Sequence, residues 1–265
     1  MGACLVYTTR GGRRWHDGGL RSGMNKLNNN GSMKLKVAAS LIVSLTSIEL
    51  ANAALSVTGS VGGAPTGVNK INFNNLSLGN SGGVANGPNG SLTVSFTGDA
   101  QTVVNSVGGR YAAPWLSGGN GNGFGAGGGN QANGADTTKY LSTGIGSVTL
   151  TFGSLQRYLG LLWGSVDGYN KLEFFNGNVS VGSITGGHVT ASPNGNQGVN
   201  GTLYVDINST FGFDKVVASS SSYAFEFDNV AFNSTPVPEP STYVAGLLLA
   251  LPVVVQGVRR LKNRQ

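Results

Sequence analysis

Residues 158–184 read YLGLLWGSVDGYNKLEFFNGNVSVGSI, and this stretch decides the fold class. Its first six residues are apolar on both faces, which is typical of a central β-strand. Two β-type segments, 171–175 and 178–184, then flank the dipeptide Asn176-Gly177. Type I′ hairpin turns prefer Asn-Gly, because both central residues need a positive φ. The stretch therefore predicts a buried strand followed by an antiparallel hairpin.

Short β-type segments separated by turn residues extend in both directions from this stretch. Apolar residues alternate with polar ones at 91–97 and 147–152, and with one slip at 71–78, as in half-buried strands. Three further segments are predicted strands: 203–207, 215–218 and 224–232. We expect eight to eleven strands and no helix before the C-terminal tail. Residues 54–233 are thus predicted to form one all-β domain, an antiparallel β-sandwich of a jelly-roll-like kind.

Glycine and asparagine are abundant in this domain, with 35 and 21 residues between positions 54 and 233. Both favour turns and left-handed backbone conformations over helices. They are densest at 117–135, SGGNGNGFGAGGGNQANGA. That segment has too little apolar area to offset the entropy lost on ordering it. We predict a long flexible surface loop there.

The formal net charge of +6 comes from the two ends of the chain. Residues 54–233 carry six Lys/Arg and eight Asp/Glu, a net charge of −2, so we exclude a nucleic-acid partner. The only cysteine, Cys4, precedes the domain, which therefore has no thiol nucleophile, disulfide or thiolate metal site. The domain's one histidine, His188, cannot form a multi-histidine metal centre.

A secretory signal peptide is predicted at 33–53. It begins with the cationic MKLK, continues with an apolar segment at 37–48 and ends with Ala51 and Ala53 at the −3 and −1 positions of an A-x-A cleavage site. We expect a signal helix here and a mature chain that begins at Ala54.

The first 32 residues fit neither a signal nor a domain. They are rich in Gly, Arg and Asn and have no hydrophobic periodicity. Residues 1–32 are therefore predicted to be disordered and to reflect an over-extended gene start. Translation is then expected to begin at Met33 or Met24 rather than at Met1.

The C-terminal tail, 234–265, has three parts in a fixed order. A Pro-Glu-Pro motif at 238–240 is followed by an apolar run at 243–258 and a basic end at 259–265. As a helix the run would be roughly 24 Å long at about 1.5 Å per residue, and flanking residues would extend it across a bilayer core of ~30 Å. We predict one transmembrane helix with its basic end in the cytoplasm.

This tail resembles the PEP-CTERM sorting signal of Gram-negative bacteria. By that resemblance, Pro238, Glu239 and Pro240 are the residues that a membrane enzyme, exosortase, recognises before it cuts nearby and releases or transfers the protein. Four other segments look like a subgroup of exosortase-sorted surface proteins: 140–144, 158–170, 213–222 and 224–232. The resemblance implies export across the inner membrane, processing by signal peptidase and exosortase, and a transient membrane anchor.

Few side chains of the domain suggest chemistry. Glu226 and Asp228 share one face of the predicted strand 224–232, opposite two phenylalanines, and are expected to lie on a solvated face. We predict no catalytic residue, no cofactor and no metal centre. Asp167, Asp228 and Asn229 are weak candidates for calcium, because hard cations take several oxygen ligands.

Aromatic residues supply the other candidate site. Trp115, beside Pro114 and the glycine-rich loop, and Tyr111 are candidates for contact with sugars, because an aromatic ring matches the apolar face of a pyranose. Trp163 lies in the most apolar predicted strand and is expected in the core.

The sequence favours a non-enzymatic, structural or adhesive protein at the cell surface or in the extracellular matrix, in a biofilm or with exopolysaccharide. A carbohydrate-binding module is the alternative. A glycoside hydrolase is third, because it needs two facing carboxylates and the sequence positions no such pair.

Overall fold

A computed structural model of the chain describes residues 55–116, 134–198 and 200–238. Several predictions fall outside these ranges. They concern the start region 1–32, the signal peptide with Ala51 and Ala53, the loop residues 117–133, Glu239 and Pro240 of the motif, and the apolar run 243–258 with the basic end 259–265. Within the described ranges, no helix is long and apolar enough to span a membrane.

The described residues include eleven β-strands and one helical turn. The strands are β1 (Leu55–Ser60), β2 (Asn69–Ile71), β3 (Gly83–Gly87), β4 (Gly90–Gly98), β5 (Gln101–Val103), β6 (Tyr140–Thr143), β7 (Gly146–Gly164), β8 (Lys171–Asn176), β9 (Val179–Thr185), β10 (Leu203–Ser220) and β11 (Phe225–Asn233). The turn α1 is Gly186–Val189. All pairings between these strands are antiparallel. The prediction of an all-β antiparallel fold is confirmed.

Two strands, β7 with 19 residues and β10 with 18, take part in two different sets of pairings. The first part of β7 lies between β4 and the last part of β10, and the last part of β7 lies between β11 and the first part of β10. Register shifts interrupt the pairing between Asn208 and Lys215. One half of the sheet therefore has the order β3-β4-β7-β10-β8-β9, and the other has β5-β6-β11-β7-β10-β1.

The apolar faces of the two halves meet in the main core. Phe152, in the first part of β7, contacts Phe232 of β11 with ring centroids 5.1 Å apart, and contacts Phe213 at 5.9 Å. Trp163, in the last part of β7, is 0% exposed and stacks on Phe225 at 4.4 Å. The prediction that Trp163 belongs to the core is confirmed.

Several predicted strands match the structure, and one predicted strand does not. The strands at 91–97, 147–152 and 158–163 are confirmed as parts of β4 and β7. The predicted strand at 71–78 is wrong, because β2 ends at Ile71 and the chain then turns, with the Leu76 amide donating to the Phe73 carbonyl at 3.0 Å.

The hairpin between β8 and β9 turns one residue later than predicted. Asn176 pairs with Val179, so the loop consists of Gly177 and Asn178. Gly177 has φ +58°, whereas neither Asn176 nor Asn178 has a positive φ. The type I′ prediction at Asn176-Gly177 is therefore wrong, and a single glycine supplies the left-handed conformation.

Candidate functional site

The side of β6, β7, β10 and β11 that faces away from the main core is rich in polar residues. Because side chains alternate along a strand, Glu226 and Asp228 point away from the core that holds Phe225 and Phe227. The strand register brings polar side chains of the neighbouring strands to the same side. We call this set the polar face: Tyr140, Tyr158, Tyr204, Asp206, Glu226 and Asp228.

Loops distant in sequence cover the polar face. The Tyr140 hydroxyl donates to the Asn105 carbonyl at 2.5 Å, and the Ala112 amide donates to Glu226 at 2.7 Å. Glu226 is 1% exposed and Asp228 is 0% exposed. The predicted solvated face for these two acids is wrong, because the loop at 105–116 lies over Glu226, and Asp136, from the loop before β6, lies against Asp228.

Two donors hold the carboxyl group of Glu226. Its Oε1 accepts from the Ala112 amide, and its Oε2 accepts a short hydrogen bond from the Ser165 hydroxyl. Burial nevertheless raises the pKa of Glu226 to about 7, because these two bonds offset only part of the desolvation and the charge of Asp167 raises it further. Near neutral pH this carboxyl therefore exists in both protonated and ionised forms.

Asp228 and Asp136 form a buried pair of carboxyl groups within hydrogen-bonding reach of each other. Asp136 Oδ1 accepts from the amide and hydroxyl of Thr138, both at 2.7 Å. Asp136 Oδ2 and both carboxyl oxygens of Asp228 are buried without a hydrogen-bond partner. Burial and then the charge of Asp136 raise the pKa of Asp228 well above its usual range, although the amides of Asn229 and Phe73 act in the opposite direction.

The other two tyrosines of the polar face also donate hydrogen bonds. The Tyr158 hydroxyl donates to Asp206 Oδ1 at 2.5 Å, and the Tyr204 hydroxyl donates to the Asn229 carbonyl at 3.1 Å. Burial raises the pKa of both phenols, and the charge of Asp206 adds to this effect. Both therefore stay protonated and act as hydrogen-bond donors.

The buried charged residues in the described ranges all have the same sign. They are Asp136, Asp167, Glu226 and Asp228, and no Lys, Arg or His of these ranges is buried. A buried carboxylate without a positive partner is unfavourable, so such a group takes up a proton or binds a cation. These four buried carboxyl groups are therefore expected either to take up protons or to have a cation close by.

The three calcium candidates from the sequence do not form one cluster. Asp167 lies near Glu226, whose pKa its charge raises, whereas Asp228 lies against Asp136. Asn229 has φ +51°, and its carbonyl accepts from Tyr204. Across the described residues, no three His, Cys, Asp or Glu side chains come together as metal ligands.

The two candidate sugar contacts lie at the edge of the loops that cover the polar face. Trp115 is half-buried, its amide donates to the Thr202 hydroxyl at 3.0 Å, and its indole Nε1 donates to the Gln197 carbonyl at 3.1 Å. Tyr111 is half-buried and meets Tyr140 edge to face, with ring centroids 6.4 Å apart. Each ring is fixed in place and keeps part of its surface open to solvent.

The Pro-Glu-Pro sequence at 238–240 begins where the chain leaves the domain. Pro238 is exposed, and the residue before it, Val237, is bound to β10. The side-chain amide of Asn208 donates to the Val237 carbonyl at 2.8 Å and accepts from the Val237 amide at 2.7 Å. The domain therefore holds the chain as far as Val237, the residue directly before Pro238.

Sequence reasoning missed Asp136, Ser165 and the tyrosines as members of one site. They come from β6, β7, β10 and two loops, so no local spacing joins them. The one usable signal was in β11, where two acids lie within the aromatic segment FEF and the residues that follow.

Comparisons of the chain with known protein families, with curated proteins and with solved structures find no match.

Proposed function

We propose that this protein is exported, processed at both ends and retained at the cell surface or in the extracellular matrix, where it has a structural or adhesive role. Signal peptidase would remove the signal peptide after Ala53. Exosortase would recognise Pro238, Glu239 and Pro240, while the apolar run at 243–258 holds the precursor in the inner membrane. The mature protein would be non-enzymatic and associated with exopolysaccharide in a biofilm.

The observation that carries this proposal is the order of the sequence parts around one β domain. β1 begins at Leu55, two residues after the predicted cleavage site, and β11 ends at Asn233, shortly before the motif. The described β-strands thus fit between the two predicted targeting segments. The face-to-face packing of the two sheet halves also supports a jelly-roll-like β-sandwich for residues 54–233.

Intact mass and location of the protein in its host test the sorting step. The wild type is expected at the cell surface without residues 1–53 and without the C-terminal tail. Glu239→Ala should keep the tail and remain in the membrane fraction. Glu173→Gln, which removes a carboxylate on the surface of β8, should be processed like the wild type. Uncut wild-type chain among the soluble proteins of the cell interior would overturn the proposal.

The second candidate function is binding of carbohydrate through Trp115 and Tyr111. It is favoured by the position of Trp115, which is half-buried and held by hydrogen bonds from its amide and its indole Nε1. A preorganised ring loses little entropy when a sugar stacks on it. Calorimetry of the mature protein with the host's own exopolysaccharide and with a glycan array tests it. Trp115→Ala should weaken binding about tenfold or more, whereas Val179→Ala, an exposed apolar residue of β9, should not. Absence of binding to all of these glycans would exclude it.

A further inference from the structure

We propose that Asp136 and Asp228 bind one divalent cation of the calcium type inside the domain. The site consists of Asp228 Oδ1 and Oδ2 from β11 and Asp136 Oδ2 from the loop before β6. These residues are 92 positions apart in the sequence, and the fold brings their carboxyl groups together. This site does not depend on the proposed sorting of the protein.

The first argument is the unsatisfied state of the three oxygens. Asp228 is fully buried, and no donor reaches any of the three atoms with full hydrogen-bond geometry. The nearby amides of Asn229 and Phe73 lower the pKa of Asp228, but burial outweighs their effect. Buried polar atoms in folded proteins are nearly always hydrogen-bonded or bound to an ion. One proton shared between the two carboxyls would satisfy one oxygen of each and leave one oxygen of Asp228 unpaired. A cation can coordinate all three.

The second argument is charge balance. Two ionised carboxylates carry a charge of −2, and the buried residues of the described ranges include no base to neutralise it. A divalent cation would bring the net charge of the pair to zero. Calcium suits an all-oxygen, irregular site better than magnesium, which needs a regular octahedron and keeps several waters. Backbone carbonyls and water would supply the remaining ligands.

The neighbouring residues fix the carboxyl group of Asp136 and the backbone of Asp228 before any ion binds. Thr138 holds the other oxygen of Asp136 through its amide and hydroxyl, and the Asp136 amide donates to the Pro114 carbonyl at 2.7 Å. The Asp228 backbone pairs with Leu162 of β7, and β6 pairs with the three residues of β11 that precede Asp228. Such preorganisation reduces the entropy lost on binding.

The test uses the full chain, purified in detergent, treated with EDTA and then titrated with calcium or magnesium. Calcium should raise the melting temperature by roughly 5 °C at a hundredfold excess over its Kd, and magnesium should raise it less. Asp228→Asn and Asp136→Asn should each abolish the shift, whereas Glu173→Gln should retain it. Terbium emission sensitised by the nearby tyrosines should show the same pattern and does not require a melting curve.

Two results would overturn the proposal. The first is an identical melting temperature for the wild type in EDTA and in 10 mM calcium at neutral pH, together with no sensitised terbium emission; the pair would then hold a shared proton. The second is a calcium shift that survives in both Asp→Asn variants, which would place the ion elsewhere. If one variant fails to fold, the other and the terbium measurement on the wild type still decide the question.

Discussion

At the scale of single residues, Glu226 makes the stability of the domain depend on pH. Its pKa is about 7 in the folded protein and 4.5 in its ordinary state. A raised pKa means that the folded state binds the proton more tightly than the unfolded chain does. The stabilisation is therefore complete below pH 4.5 and is lost as the pH rises through 7.

We predict that Glu226→Gln removes this part of the pH dependence. Integrated over the shift in pKa, the contribution is about 3 kcal/mol between pH 4 and pH 8. Urea unfolding at a series of pH values, in EDTA so that no cation takes part, would measure it. The wild type should lose more stability than the variant as the pH rises.

A surface carboxylate provides the control for this measurement. Glu173 lies beside Lys171, which lowers its pKa, so Glu173→Gln should preserve the decline seen in the wild type. If Glu226→Gln and the wild type gave parallel curves, Glu226 would be ionised throughout, and its two hydrogen bonds would outweigh its burial.

At the scale of elements, β7 needs a glycine at position 160, because two tyrosine side chains of the polar face lie against its backbone there. A Cβ atom at this position would collide with the hydroxyl of Tyr158 and would lie 2.9 Å from the ring of Tyr204. Both tyrosines are buried and hydrogen-bonded, so neither ring can move away without losing its partner.

Gly160→Ala is expected to destabilise the domain by about 2 kcal/mol, as overpacking in a filled interior usually does. Gly153→Ala is the matched control in the same strand, because a Cβ there meets nothing within 4 Å. Thermal unfolding of the two variants side by side would measure the difference. Equal melting temperatures would mean that the tyrosines can rearrange.

Strands with strong alternation could be predicted from the sequence, whereas short edge strands could not. The β-type segments at 158–163 and 224–232 identified the last part of β7 and β11, and alternation of apolar and polar residues identified β4 and the first part of β7. It failed for β5, which has three residues, and for the glycine-rich β3, because neither is long or apolar enough to show a period. The sequence also predicted β10 as two separate strands, 203–207 and 215–218, which lie on either side of its register shifts.

The candidate site depended on information that the sequence does not contain. Alternation placed Glu226 and Asp228 together on one side of β11 correctly, but it could not say what covers that side. The cover comes from the loop at 105–116, which contacts Glu226, and from Asp136, which lies against Asp228. Both are about ninety positions or more earlier in the chain. Burial, and with it the shifted pKa values, is a property of the tertiary structure alone.

At the scale of the whole molecule, the contact between Asn208 and Val237 extends the folded domain beyond β11. Val237 also packs on the cluster around Tyr158, Leu162 and Tyr204. The ordered contacts therefore continue four residues past the predicted domain boundary at 233.

A chain truncated after Val237 should be more stable than one truncated after Asn233 by about 2 kcal/mol, since two hydrogen bonds contribute about 1 kcal/mol each. Urea unfolding of both chains would measure this difference. Asn208→Ala should remove most of it, costing more in the longer chain than in the shorter one. Equal stabilities of the two unsubstituted chains would show that the segment after β11 adds nothing.

Because β7 and β10 run through both halves of the sheet, neither half has a complete set of backbone partners without the other. Loss of either half would leave N–H and C=O groups of both long strands without partners at once. Heat or urea should therefore melt the molecule in a single cooperative transition. Amide protons at opposite ends of β7 should exchange with solvent through the same global opening, and not through separate local ones.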